Sequence, residues 1–207
     1  LSQRAVYGGA CACLIAACLC SLPLLQSRGW IIVAVGIPSL YLAYGYTGGP
    51  FPLAYLGLGE VFVILFFGLV AVGGSYFVQV GTWEWPAGVL GLQVGLLSAI
   101  LIAINNLRDV EEDRRSNKNT LAVRFGSVVI HRMITAFVIM AMMLSFLGGL
   151  YGASWFPVLS VPWFLIGLFC VRGVKASPPS QRYNRFLAIA AIQLMLFAML
   201  FTVAVSL

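Results

Sequence analysis

The run INNLRDVEEDRRSNKNTLAVRFG, Ile104 to Gly126, packs four acids and five bases into a chain that otherwise avoids charge. If one helix carries Asn105, Asp109 and Asp113, their i, i+4, i+8 spacing drifts by only about 40° per step, and three oxygen-bearing side chains line one stripe. Such oxygens suit a hard cation such as Mg²⁺, which is commonly held by one or two carboxylates together with substrate phosphate oxygens. The bases that follow, Arg114, Arg115 and Lys118, would neutralise a diphosphate bridged by that ion. A solvated loop of mixed charge is the plainer alternative. Against it, acids at i, i+4 repel, and acids at a helix C-terminus oppose the macrodipole, each by about a few tenths of a kcal/mol. Something cationic must compensate, either Arg108, Arg114 and Arg115 or a bound metal.

The elements that position this run are membrane helices. Hydrophobic residues make up 61% of the 207, charged residues only 9%, and the mean hydropathy is +1.00. A soluble domain of this size cannot hide so much apolar surface. Seven apolar stretches follow one another, approximately Ala5 to Leu25, Trp30 to Tyr46, Glu60 to Val80, Pro86 to Leu107, His131 to Tyr151, Trp155 to Val171 and Phe186 to Ser206. Crossing hydrocarbon takes about 20 residues of helix; two stretches are shorter. Because the apolar runs are continuous rather than alternating, the fold class is an all-α polytopic helix bundle and not a barrel. Kinks or early helix ends are expected at Pro23, Pro38 and Pro162.

Seven crossings place the segment before Ala5 and the loops after Tyr46, Leu107 and Val171 on one face. Eleven of the twelve Lys and Arg residues fall there, with Arg28 alone on the other. The positive-inside rule makes that face cytoplasmic, in a bacterial or organellar inner membrane. It also accounts for the sequence pI of about 9.3 without a nucleic-acid partner. The chain opens on Leu1 with no cleavable signal pattern, so it is expected to begin inside a longer protein.

Other reactive residue types have structural explanations. Cys11 and Cys18 share one face of the first span while Cys13 and Cys20 share another about 160° away, so the four thiols cannot converge on one ion. His131 opens a span beside Arg132 with no carboxylate near it in sequence, which reads as interfacial. The tryptophans form an aromatic belt. The segment YGYTGGPFPLAYLGLGE, Tyr44 to Glu60, is different. Its glycines and prolines permit tight turns, and it shares a membrane face with Asp109 and Asp113. There it would be a lid over their site, or a plain interhelical loop.

YTGGP at Tyr46 to Pro50, GLGEVFV, FFGLVAV, NNLRDVEEDRRSNKNTLAVRFG and the tail YNRFLAIAAIQL with Asn184 and Gln193 together resemble the 1,4-dihydroxy-2-naphthoate prenyltransferases of menaquinone synthesis, in the UbiA superfamily. The resemblance covers nearly the whole chain. It implies a nine-helix bundle with a central cavity open to lipid and two Asp-rich motifs on the cytoplasmic side. Between them a Mg²⁺-bound polyprenyl diphosphate would sit. Asn105, Asp109 and Asp113 match the second motif. No Asp or Glu precedes Tyr46, so the first motif has no counterpart. Residues 1–207 therefore read as a single transmembrane prenyltransferase-like domain lacking its first two helices, inactive unless another segment supplies the missing ligands.

By the same resemblance the partners are a polyprenyl diphosphate, a dihydroxynaphthoate-type aromatic acceptor and the lipid bilayer. Asp109 and Asp113 would serve catalysis by holding Mg²⁺; Arg114, Arg115 and Lys118 would contact diphosphate; Tyr46, Thr47, Asn106 and Arg108 would border the acceptor. Ionisation of the allylic C–O bond, attack by the ring and loss of CO₂ would give a demethylmenaquinone. The alternatives are transfer to another aromatic acceptor, against which the lack of a Lys shortly after Tyr46 counts in the hydroxybenzoate case, and a noncatalytic membrane fragment or transporter subunit.

Overall fold

The computed structural model describes residues 2–49 and 52–207, with the Tyr151 side chain excepted. Eight helices follow in order: α1 (Gln3–Arg28), α2 (Ile31–Gly45), α3 (Gly59–Val80), α4 (Trp85–Arg108), α5 (Val110–Arg115), α6 (Leu121–Ser145), α7 (Val161–Ala176) and α8 (Tyr183–Ser206). Short helical turns lie at Leu53–Tyr55, Phe146–Tyr151 and Phe156–Leu159. Among the described residues six helices, α1, α3, α4, α6, α7 and α8, are long and apolar enough to cross a membrane, α6 with the turn after it and α7 with the turn before it. The chain is an integral membrane protein with an all-α bundle fold. The second expected span is the exception, since α2 has 15 residues and reaches only about 22 Å at 1.5 Å per residue.

Several boundaries differ from the sequence reading. His131 does not open a span: α6 starts ten residues earlier, where Thr120 caps it by accepting the Val123 amide at 3.4 Å. Gly126, with φ 75° and ψ 172°, bends the helix at a position only glycine adopts readily. Hydropathy misses this start because Arg124 and Arg132 flank the first turns. Pro162 sits in the first turn of α7, where its missing N–H costs nothing. Pro23 and Pro38 lie inside α1 and α2.

The packing is centred on α4. Its Leu97, Ile100, Ala103, Ile104 and Leu107 are buried with Ile130, Ile134 and Val138 of α6, Trp163 and Val171 of α7, and Phe197 of α8. On its other side α4 meets α3, which runs through a π-helical stretch at Ile64–Gly73. The backbones nearly touch: a Cβ on Gly95 would stand 2.7 Å from the Ile64 carbonyl, and one on Gly68 would collide with the Gly91 carbonyl. Small residues permit this approach, which is how helices associate where lipid competes for apolar contact. By contrast α1, beside α2, buries none of its residues.

The lone cation of the far face is accounted for. Arg28 donates from Nε to the Val78 carbonyl and from an Nη to the Gln79 carbonyl, both at 2.8 Å, and so covers the open C-terminal end of α3. On the basic face three loops converge. The Asn119 amide donates to the Tyr55 carbonyl at 3.1 Å, joining the α2–α3 loop to the α5–α6 loop, and Arg108 reaches Asn184 beside the α7–α8 loop. Three of the four segments that charge groups together are thus neighbours in space.

Candidate functional site

The helix carrying the acidic run does not pass smoothly through it. At Asp109 the backbone turns to φ −99°, ψ 11°, ending α4 and starting α5. The i to i+4 ladder nonetheless crosses the break: the Asp109 amide donates to the Asn105 carbonyl at 3.1 Å, and the Asp113 amide to the Asp109 carbonyl at 2.8 Å. The three residues keep their register while their side chains enter two different clusters.

In the first cluster one guanidinium organises everything. Arg108 grips Asp109 with two bonds, Nε to Oδ1 and an Nη to Oδ2, both 2.6 Å. It also donates to Asn105 Oδ1 at 2.8 Å and Asn184 Oδ1 at 2.6 Å. Such a planar bidentate pair is the strong form of ion pairing. Arg108 is thereby a counter-ion to Asp109, and Asn184 of the tail motif belongs to the same knot.

The second cluster surrounds a polar cavity of about 300 Å³, lined by Tyr46, Thr47, Glu60, Asn106, Lys118 and Thr120 among others. Lys118 donates to Asp113 Oδ1 at 3.1 Å, and Asp113 is only 5% exposed. Asp113 Oδ2 is buried without a partner among the described residues. Asn106 donates from Nδ2 to Glu60 Oε1 at 3.0 Å, leaving Glu60 Oε2 buried and unpartnered. Tyr46, one residue beyond α2, leans over this end of the cavity; burial, and secondarily the Glu60 charge, push its phenol above the ordinary value. It therefore stays a protonated donor at neutral pH.

The loop glycines make this arrangement possible. Gly57 has φ +72°, and a Cβ there would stand 2.8 Å from the Asn119 carbonyl; a Cβ on Gly59 would stand 3.0 Å from the Tyr46 hydroxyl. The Tyr46 carbonyl accepts the Ala54 amide at 2.9 Å, folding the loop back on itself above Asn106 and Lys118. Pro50 of the Gly-Gly-Pro run lies outside the described residues. Next door, an apolar cavity of about 530 Å³ is lined by Leu42, Phe62, Phe66 and Phe67, and shares Tyr46, Thr47 and Ile102 with the polar one.

The proposed site residues thus divide unevenly. Tyr46, Thr47, Asn106 and Lys118 meet at one cavity; Asn105, Arg108 and Asp109 form the neighbouring knot. Arg114 and Arg115 are exposed on α5, where Arg114 pairs with Glu111 at 2.9 Å. Lys118, grouped by sequence with those arginines, stands with Asp113 and the cavity instead. The residue missed altogether is Glu60. Its signal was available: it is the only acid before Glu84, and it opens an apolar span, where a carboxylate is expensive and so functional by default.

Among the described residues no three Asp, Glu, His or Cys side chains gather to hold a metal by themselves. Mg²⁺ does not require three, since phosphate oxygens and water complete its shell. Asp113 Oδ2 is a buried oxygen without a partner, and Asp109 offers two more once Arg108 yields them. The donor types fit a hard divalent ion.

The model of one family, the UbiA prenyltransferase family, matches residues 1–204. The chain belongs to the UbiA prenyltransferase family. A 1,4-dihydroxy-2-naphthoate octaprenyltransferase from Haemophilus influenzae is 43% identical over 93 residues, which is 45% of this chain and 30% of that protein. One of the same name from Mycobacterium leprae is 35% identical over 161 residues, covering 78% of this chain and 49% of the relative. A 2-carboxy-1,4-naphthoquinone phytyltransferase from Synechocystis is 29% identical over 169 residues, covering 79% of this chain and 55% of the relative. The chain spans about half the length of such relatives or less. No solved structure matches it significantly.

Proposed function

We propose that this chain belongs to an intramembrane enzyme that transfers a polyprenyl group from its diphosphate to 1,4-dihydroxy-2-naphthoate, with loss of CO₂. Its loops would face the cytoplasm of a bacterial inner membrane, and its product would be a demethylmenaquinone. One observation carries the reading: a polar cavity with cationic and hydrogen-bonding walls opens beside an apolar one, and the two share Tyr46, Thr47 and Ile102. An oily chain and a charged aromatic head need such adjoining chambers. The names of the relatives from Haemophilus and Mycobacterium support the naphthoate acceptor.

Asp113 and Asp109, with Asn105, would hold Mg²⁺, which when bound neutralises the departing diphosphate. Arg114 and Arg115 would meet its outer oxygens. The aromatic walls of the apolar cavity would keep water from the allylic carbon, and Tyr46 would hold the acceptor against it.

Incubating the full-length protein in detergent with Mg²⁺, dihydroxynaphthoate and a polyprenyl diphosphate is expected to yield prenylated naphthoquinol and CO₂. Chelation of divalent ions should stop both. No product, beside an active control enzyme, removes the assignment, and product from another aromatic acid alone transfers it to that acceptor.

A further inference from the structure

We infer that Glu60 is the group that recognises the acceptor's ring hydroxyl, accepting its hydrogen bond on the free carboxylate oxygen. The inference rests on the function proposed above and deepens it. Glu60 is 2% exposed and lines the polar cavity. Asn106, itself 3% exposed, fixes one oxygen by donating to Oε1 at 3.0 Å. The second oxygen is buried and makes no hydrogen bond to another described residue; the one further donor beside the carboxylate is Glu60's own backbone N–H.

Leaving a buried carboxylate oxygen without a partner costs more than an ordinary hydrogen bond returns. Such a group is retained when a ligand completes it. The rest of the cavity says what that ligand carries. Lys118 lines the same chamber within electrostatic reach of Glu60, and its ammonium suits a carboxylate. The Tyr46 hydroxyl stands over Gly59, beside Glu60. A cation at one point and a hydrogen-bond acceptor at another match an aromatic acid bearing a hydroxyl, and mismatch the same acid without one. The bond also pushes electron density from the hydroxyl oxygen into the ring, which favours attack on an electron-poor carbon.

The discriminating ligand pair is 1,4-dihydroxy-2-naphthoate, kept anaerobic, and 2-naphthoate, which retains ring and carboxylate but has no hydroxyl. Titration calorimetry on the full-length protein and on Glu60→Gln measures both. With Asn106 still donating to its amide oxygen, a glutamine turns its NH₂ toward the ligand and opposes a hydroxyl donor. The Kd for the diol is expected to rise tenfold or more and that for 2-naphthoate to stay within twofold. Equal changes for both ligands, or none for the diol, overturn the inference. Should Glu60→Gln not purify folded, Asn106→Ala decides: releasing Oε1 is expected to weaken the diol several-fold more than 2-naphthoate, and an equal effect overturns the inference. If the wild-type protein binds neither ligand, the functional proposal fails and this one with it. If wild type prenylates the diol while Glu60→Gln is indifferent to the hydroxyl, the role of Glu60 alone is lost.

Discussion

Two charged knots sit at the same end of the bundle and treat their carboxylates oppositely. In the knot around Arg108 both oxygens of Asp109 are bonded, and the same guanidinium also holds Asn105 and Asn184. Glu60, which lines the polar cavity, and Asp113, which meets it through Lys118, are each held at one side-chain oxygen and left open at the other. Saturation stabilises a fold, whereas a half-satisfied buried group stores a demand for a ligand. On the function proposed above, a ligand's own donors or a metal would complete the network at Glu60 and Asp113, and the Arg108 knot would have to open partly before Asp109 could reach a metal.

The comparison breaks most sharply at Asp109. If its carboxylate passes from Arg108 to a metal during turnover, Asp109→Ala lowers the steady-state rate by about a hundredfold or more; a rate near wild type confines Asp109 to the structural knot. Arg108→Ala is the next largest effect, and reads on stability. Losing charge-assisted bonds to three side chains should cost about 1–3 kcal/mol in Mg²⁺-free detergent, measured by thermal unfolding. Added Mg²⁺ should restore more stability in this variant than in wild type, because the competing cation is gone. Equal Mg²⁺ stabilisation of both proteins separates Asp109 from the ion. The smallest change belongs to the exposed pair on α5. Arg114→Ala should alter stability by less than about 1 kcal/mol, as an exposed ion pair contributes little, while the KM for the prenyl diphosphate rises several-fold. A matching rise in the acceptor's KM instead would place Arg114 at the other substrate.

Much of this was legible in the residues. Apolar run length places the membrane helices, and the Lys and Arg distribution groups the loops that meet at the Asn119–Tyr55 bond, because both reflect transfer into lipid, a property of local composition. The spacing of Asn105, Asp109 and Asp113 persists in two backbone bonds across the break at Asp109, but the expected single stripe divides, with Asn105 and Asp109 on Arg108 and Asp113 on Lys118. The early start of α6 was not legible, because its cap at Thr120 and bend at Gly126 lie in a stretch where charge masks the helix.

Sequence by itself determined the helix bundle and singled out most of the polar residues that meet at its charged end, though not Glu60. Only the tertiary structure decided which of them are free. Arg108 falls on Asp109 and Asn184, Lys118 on Asp113, and Asn106 on Glu60 46 residues away. Availability of a carboxylate depends on which donor packs against it; the Asp109 and Asp113 pairs form locally, whereas the Asn106–Glu60 and Arg108–Asn184 bonds follow from how α3, α4 and α8 dock, with Gly68, Gly91 and Gly95 letting α3 press against α4. Spacing along one helix carries no information about a neighbour that arrives from elsewhere in the chain.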